Sequence, residues 1–137
     1  MRTLIKNGTI IDPANHIHAR NNLLLQDGKV LATVQDEPEA DVVLDAVGKY
    51  VCPGFIDIHM HEENFKDEGE SYVIAQMMLE MGVTTAVGGN CGIQKQDLSY
   101  FKEVLERLGG SPVNYIMLAG YNQMRYKLCL LYTSPSP

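Results

Sequence analysis

Two imidazoles one residue apart and a sulfur farther along the chain, His59, His61 and Cys91, are the side chains whose types and placement suit a divalent cation. The histidines close the run Pro53-Gly-Phe-Ile-Asp-Ile-His-Met-His61. On an extended strand alternate side chains share a face, so the two rings project together from Cα atoms about 6.6 Å apart. Rings so placed can converge on one ion at Zn–N distances of about 2.0–2.1 Å. Asp57 shares their parity and lies deeper in the strand, where its carboxylate can accept from a ring N–H and fix the tautomer. Cys91 closes the run Gly82-Val-Thr-Thr-Ala-Val-Gly-Gly-Asn-Cys-Gly92, and glycines on both sides of it allow the backbone to approach a ligand closely. A thiolate there is a good zinc ligand. A free thiol is as readily a buried, inert side chain, and position alone leaves both readings open. A nucleophilic cysteine would need a histidine beside it other than the pair already given to metal.

His16-Ile-His18 repeats the spacing and serves as an internal control. It follows the turn Asp12-Pro-Ala-Asn15, so nothing places it on a buried parallel strand, and it reads as an exposed edge or loop pair. Glu62 and Glu63, followed by Asp67, Glu68 and Glu70, read as a solvated loop whose charge favours a first helical turn. Met77, Met78 and Met81 read as core packing.

The elements that must position these groups fall into two stretches. Residues 1–52 read as short strands joined by turns, six in about fifty residues, which predicts a small antiparallel β module. Asn7-Gly8 and Asp27-Gly28 are the dipeptides favoured in two-residue hairpins. From Pro53 the rhythm changes to strands alternating with helices: a strand over 55–59, a helix over 70–81 stopped by Gly82, and a strand over 83–87. A helix capped by Asp97 and a strand over 113–119 follow. That alternation predicts βαβ units and a parallel sheet, an α/β fold. His59, His61 and Cys91 then share the C-terminal rim of two neighbouring strands, where (β/α)8 enzymes build their sites.

The chain has 137 residues, 45% hydrophobic and 20% charged, with 17 acidic against 11 basic side chains and a net charge of −6. The composition is that of a globular protein. The acidic balance argues against a nucleic-acid or anionic-membrane partner. No apolar run reaches the roughly 18 residues of a membrane span, and Lys6-Asn7 interrupts any secretory h-region, so a cytoplasmic location is expected. Three cysteines at uneven spacings, Cys52, Cys91 and Cys129, make no disulfide framework. A complete (β/α)8 barrel takes about 250 residues, so residues 53–128 are expected to be the first βα units of an incomplete one. The last stretch, residues 129–137, resembles the translated read-through of a sequencing adapter and is set aside as non-native.

Taken together, the two motifs resemble the amidohydrolase superfamily, in which a small β-sandwich precedes a metal-dependent (β/α)8 TIM barrel. The front segment is typical of it: Lys6-Asn-Gly-Thr-Ile-Ile-Asp-Pro-Ala-Asn15, Asp27-Gly-Lys-Val30 and Val47-Gly-Lys-Tyr-Val-Cys-Pro-Gly-Phe-Ile-Asp57. Gly-Asn-Cys-Gly is similar to the D-aminoacylase (N-acyl-D-amino-acid deacylase) branch, whose cysteine at this place is a zinc ligand. The resemblance therefore implies one or two Zn2+ ions held by His59, His61 and Cys91, and a small-molecule N-acyl amino acid as substrate. It implies attack on the amide carbonyl by a metal-activated water, with a general-base Asp beyond this stretch. The 137-residue piece alone is expected to be inactive. The chain departs from the branch at Gly88-Gly89, where bulkier residues are commoner, and at Glu62-Glu63. A cyclic-amide hydrolase of the dihydroorotase or hydantoinase type and a non-catalytic barrel scaffold are the alternatives.

Overall fold

The computed structural model describes residues 1–129; residues 130–137, most of the adapter-like stretch, lie outside the described residues. The chain forms two compact units, Met1–Pro53 and Gly54 onward.

The first unit is a five-stranded sheet. β1 (Arg2–Asp12) pairs antiparallel with β2 (Ile17–Gln26), which pairs antiparallel with β3 (Lys29–Val34). β4 (Val42–Asp45) and β5 (Tyr50–Val51) both run parallel to β1. The sheet is thus mixed, not the antiparallel module the turn signals predict, because the long acidic connection after β3 returns the chain to the far side of β1. Asp27-Gly28 forms the expected hairpin, with φ of 50° and 76° at its two central residues, the left-handed pair a type I′ turn requires.

Asn7-Gly8 does not turn. Only Asn7 takes a positive φ, 65°, and β1 continues through it with a register shift between Ile5 and Gly8 against β2. That geometry is a bulge. Asn22, buried beneath it, accepts the Asn7 N–H at 3.0 Å and donates to the carbonyls of Gln35 and Asp36. Gly8 is required here, since a Cβ would lie 2.6 Å from Val51 Cγ2.

The second unit is α/β. Its sheet has the order β6 (Phe55–Asp57), β7 (Val83–Gly88), β8 (Asn114–Met117), all parallel. Between β6 and β7 the chain forms α1 (Phe65–Glu68) and α2 (Ile74–Glu80) instead of one helix over 70–81. Gly69, at φ 92°, breaks the two apart, and Gly82, at φ 84°, stops α2 as expected. α3 (Leu98–Arg107) links β7 to β8 with Asp97 at its N-cap, and α4 (Tyr121–Cys129) follows β8.

Two apolar clusters hold this unit. Met60, Ala75, Met78, Ala86 and Val113 form one; Phe65, Phe101 and Val104 form the other, where the Phe65 and Phe101 rings stack at 5.3 Å. Of the three methionines expected in the core, only Met78 is buried; Met77 and Met81 are exposed. On so short a helix, Ala75 and Met78, three apart, exhaust the face that meets the sheet. No helix among the described residues is long and apolar enough to cross a membrane.

Candidate metal centre

The site is built from two loops that leave neighbouring parallel strands. β6 ends at Asp57, two residues before His59, so the histidines stand on a loop and not on the strand itself. The cause is local. Asp57 Oδ1 accepts the backbone N–H of His59 at 2.9 Å, a side-chain bond two residues ahead that takes this amide off the ladder. Asp57 therefore acts on the main chain of the pair, where the sequence pointed to a ring.

The period of two survives the end of the strand. Met60 and Glu62 are buried, while His59 and His61 are exposed. Met60 is pinned inward twice: its N–H donates to the Val87 carbonyl at 3.2 Å, and its side chain joins the cluster with Ala75 and Ala86. Its two neighbours must then turn outward together, and their ring centroids lie 6.0 Å apart at 69°.

Cys91 lies in a short turn, Asn90–Gly92, just after β7. Its φ is 59°, left-handed for a residue that carries a Cβ, and Gly89 and Gly92 beside it also have positive φ. Such a conformation costs about 1–3 kcal/mol and persists only where the surroundings enforce it. Here α4 does so, through Asn122 Nδ2 donating to the Cys91 carbonyl at 2.8 Å.

These constraints bring Cys91 Sγ to 3.4 Å from His59 Nε2. One donor atom from each of His59, His61 and Cys91 lies within 4.8 Å of the others, and all three residues are exposed. Zinc bonds of about 2.0–2.1 Å to nitrogen and 2.3 Å to sulfur at a tetrahedral angle separate the two donors by roughly 3.5 Å. The His59–Cys91 edge already has that length. Two imidazoles and a thiolate are also donors that zinc accepts, so the set fits the ion chemically. His16 and His18 stay apart from it, as expected: His16 caps a turn at φ 55° and His18 is an exposed residue of β2.

Glu62 and Glu63 overturn the solvated-loop reading. Both are buried, 2% and 3% exposed. Glu62 accepts the N–H of Gly89 at 3.1 Å and of Lys95 at 2.8 Å. Glu63 Oε1 accepts the N–H of Val73 and Ala75 at 3.1 and 2.9 Å, filling the open amides at the start of α2. The signal was present for Glu62: the parity that sends His59 and His61 outward sends position 62 inward. Further bonds lace the two loops. Asn90 Nδ2 donates to the Met60 carbonyl at 3.3 Å, and buried Gln96 donates to the Glu63 carbonyl at 2.6 Å while accepting the Lys66 N–H at 3.3 Å. On β8, the Tyr115 hydroxyl is buried with no partner among the described residues. Burial, with Glu63 nearby, pushes its pKa well above the ordinary phenol value.

No family model matches the chain. Among curated proteins it is similar to dihydroorotases. One from Aquifex aeolicus is 36% identical over 91 residues, covering 65% of this chain and 20% of that protein. One from Lactobacillus helveticus is 40% identical over 72 residues, covering 53% and 16%. The chain thus spans about a fifth of the length of these relatives. Among solved structures it is similar to an N-acyl-D-glutamate deacylase from Bordetella bronchiseptica complexed with zinc and a phosphonate inhibitor, with a TM-score of 0.73 and 26% identity. It is similar also to a D-aminoacylase described as defining a novel subset of amidohydrolases, with a TM-score of 0.71 and 26% identity. Each match covers 90% of this chain and 30% of the other.

Proposed function

The chain belongs to the amidohydrolase superfamily, and from that premise we propose that it carries part of the metal site of a hydrolase of linear, non-peptide C–N bonds. The proposed substrates are N-acyl-D-amino acids. One observation carries the reading: a cysteine sulfur stands 3.4 Å from a ring nitrogen of the His59/His61 pair. A Gly-Asn-Cys-Gly cysteine beside that pair is the mark of the D-aminoacylase branch. The similarity in fold to a D-aminoacylase and an N-acyl-D-glutamate deacylase supports it.

In this proposal His59 and His61 give neutral ring nitrogens, and Cys91 its thiolate, to a Zn2+ ion. When bound, the ion supplies Lewis acidity that polarises an amide carbonyl and makes water acidic enough to lose a proton near neutral pH. The chain's own residues orient and hold. Asp57 fixes the His59 main chain, Met60 keeps both rings turned to the exposed side, and the left-handed turn at Cys91 aims its sulfur at them. Because all three donors face outward, a small linear amide can approach from that side.

A cyclic-amide hydrolase of the dihydroorotase type is the second reading, and one observation favours it: the dihydroorotases are 36% and 40% identical where they match. The test is a substrate panel on the zinc-loaded full-length protein, with N-acetyl-D-amino acids, their L-enantiomers, dihydroorotate and a hydantoin. Turnover of the D-acyl substrates, lost in Cys91→Ala, is the expected result. Turnover confined to dihydroorotate would assign the second reading. A fully metallated protein idle on every substrate would point to a scaffold.

A further inference from the structure

We propose that Glu62 is a positioning residue of the metal site, its carboxyl group fixing the distance between the His59/His61 loop and the Cys91 loop. The inference rests on reading His59, His61 and Cys91 as a metal site and adds the residue that holds the two halves together.

Glu62 follows His61 directly in the chain, is 2% exposed and uses both of its oxygens. Oε2 accepts the N–H of Gly89, two residues before Cys91; Oε1 accepts the N–H of Lys95, four residues after it. One rigid planar group thus grips the Cys91 loop on both sides from a backbone position adjacent to a histidine ligand. Asn90 and Gln96 also join the loops, but their bonds reach Met60, Glu63 and Lys66 and do not bracket the sulfur.

The space for Glu62 is specific. A Cβ at Gly88 would sit 3.2 Å from Glu62 Oε2 and 2.9 Å from Met117 Sδ. The two places where this sequence departs from the branch it resembles, Glu62-Glu63 and Gly88-Gly89, therefore meet in space. A long acidic side chain reaches under the end of β7 where β7 carries no side chain to block it.

Glu63 supplies the control. It is equally buried and also accepts two amides, but these belong to Val73 and Ala75 at the start of α2, away from Cys91. The experiment titrates the metal-free full-length protein with Co2+ and follows the thiolate-to-cobalt charge-transfer band, with Zn2+ affinity measured by competition. Wild type, Glu62→Gln, Glu62→Ala, Glu63→Gln and Cys91→Ala are compared, and the thermal midpoint of each metal-free protein is recorded. Gln keeps one acceptor oxygen and turns an NH2 toward an amide N–H, so it breaks one arm of the grip at constant shape.

Wild type is expected to show the band and Cys91→Ala to lose it. Glu62→Gln is expected to bind Co2+ and Zn2+ about 10–100-fold more weakly with a diminished band, the usual penalty for loss of a group that supports metal ligands. Glu63→Gln is expected to lower the midpoint comparably while keeping the band and an affinity within about twofold. Wild-type affinity in both Glu62 variants would overturn the inference, as would an equal loss of metal in Glu63→Gln. If Glu62→Ala does not fold, Glu62→Gln alone decides. Absence of the band in wild type would instead overturn the metal reading, and the inference with it.

Discussion

Cys91 Sγ and His59 Nε2 stand 3.4 Å apart although 32 residues separate them in sequence. That approach is enforced from both ends. Asp57 and Met60 hold the histidine loop, and Gly89, Gly92 and Asn122 hold the cysteine turn. Three exposed donor residues, brought together by independent restraints, are the basis of the proposed metal site. Zinc content of the full-length protein checks this. Cys91→Ala and His61→Ala are each expected to weaken Zn2+ binding by roughly 100-fold or more, beyond the 10–100-fold typical of supporting groups. Unchanged stoichiometry in both would remove the assignment.

The glycine before Asn90 should be irreplaceable for a reason separable from backbone strain. Gly89 has φ 76°, and a Cβ there would lie 2.4 Å from the Leu118 carbonyl oxygen, a backbone atom that cannot swing aside. Gly109 has nearly the same φ, 78°, with nothing within 4 Å of a Cβ. Gly109→Ala therefore incurs only the left-handed conformation, about 1–2 kcal/mol. Gly89→Ala incurs that and a collision with the Leu118 carbonyl, just past the end of β8. Denaturant unfolding of the two variants is expected to show a larger loss for Gly89→Ala by at least about 1 kcal/mol. Equal losses would mean that the turn yields without cost.

How far the sequence revealed this arrangement depends on the kind of signal. Asp27-Gly28 was legible because a two-residue I′ turn needs two left-handed residues and that dipeptide supplies both. Asn7-Gly8 carries the same letters and becomes a bulge, because a buried Asn22 accepts the Asn7 amide and β1 continues along its neighbours. That partner lies fifteen residues away, and no local pattern announces it. In the second unit the parallel strands and α3 followed from periodicity. The ends of strands put His59, His61 and Cys91 on one rim, while only the resemblance favoured Cys91 as a ligand over an inert thiol. The buried roles of Glu62 and Glu63 were missed: parity points position 62 inward, but paired carboxylates are ordinarily assigned to solvent, and no local pattern marks Glu63. Their burial is driven by backbone amides at Gly89, Lys95, Val73 and Ala75 that need acceptors, a demand set by tertiary structure.

The bulge in β1 offers a test confined to the first unit. Asn22 is 7% exposed, accepts from Asn7 and donates to Gln35 and Asp36. Asn22→Ala leaves one amide and two carbonyls without this partner. The expected cost is about 1–3 kcal/mol, that of unsatisfied buried polar groups. Hydrogen exchange should show the Asn7 amide losing protection in the variant. A fully protected Asn7 amide would mean that another acceptor replaces the side chain.

Tyr115 ties the packing of the second unit to pH. Its ring meets Phe101 edge-on at 5.1 Å, and its hydroxyl is buried without a partner among the described residues. Burial first, and the nearby Glu63 second, raise the phenol pKa of the folded protein above the ordinary value. An unfolded chain ionises its tyrosines near pH 10. The folded state, which resists ionisation, is therefore fully favoured below about pH 10 and loses stability as pH climbs above it. Tyr115→Phe keeps the ring and removes both the titration and the unpaired hydroxyl. At pH 7 the variant is expected to match wild type or exceed it by about 1–3 kcal/mol. Between about pH 10 and 11.5 its unfolding free energy should decline less steeply than that of wild type. Chemical denaturation of both proteins across that range is the measurement. A variant less stable at pH 7, with an alkaline slope as steep as wild type, would show that the hydroxyl is held by a bond and that burial does not govern its titration.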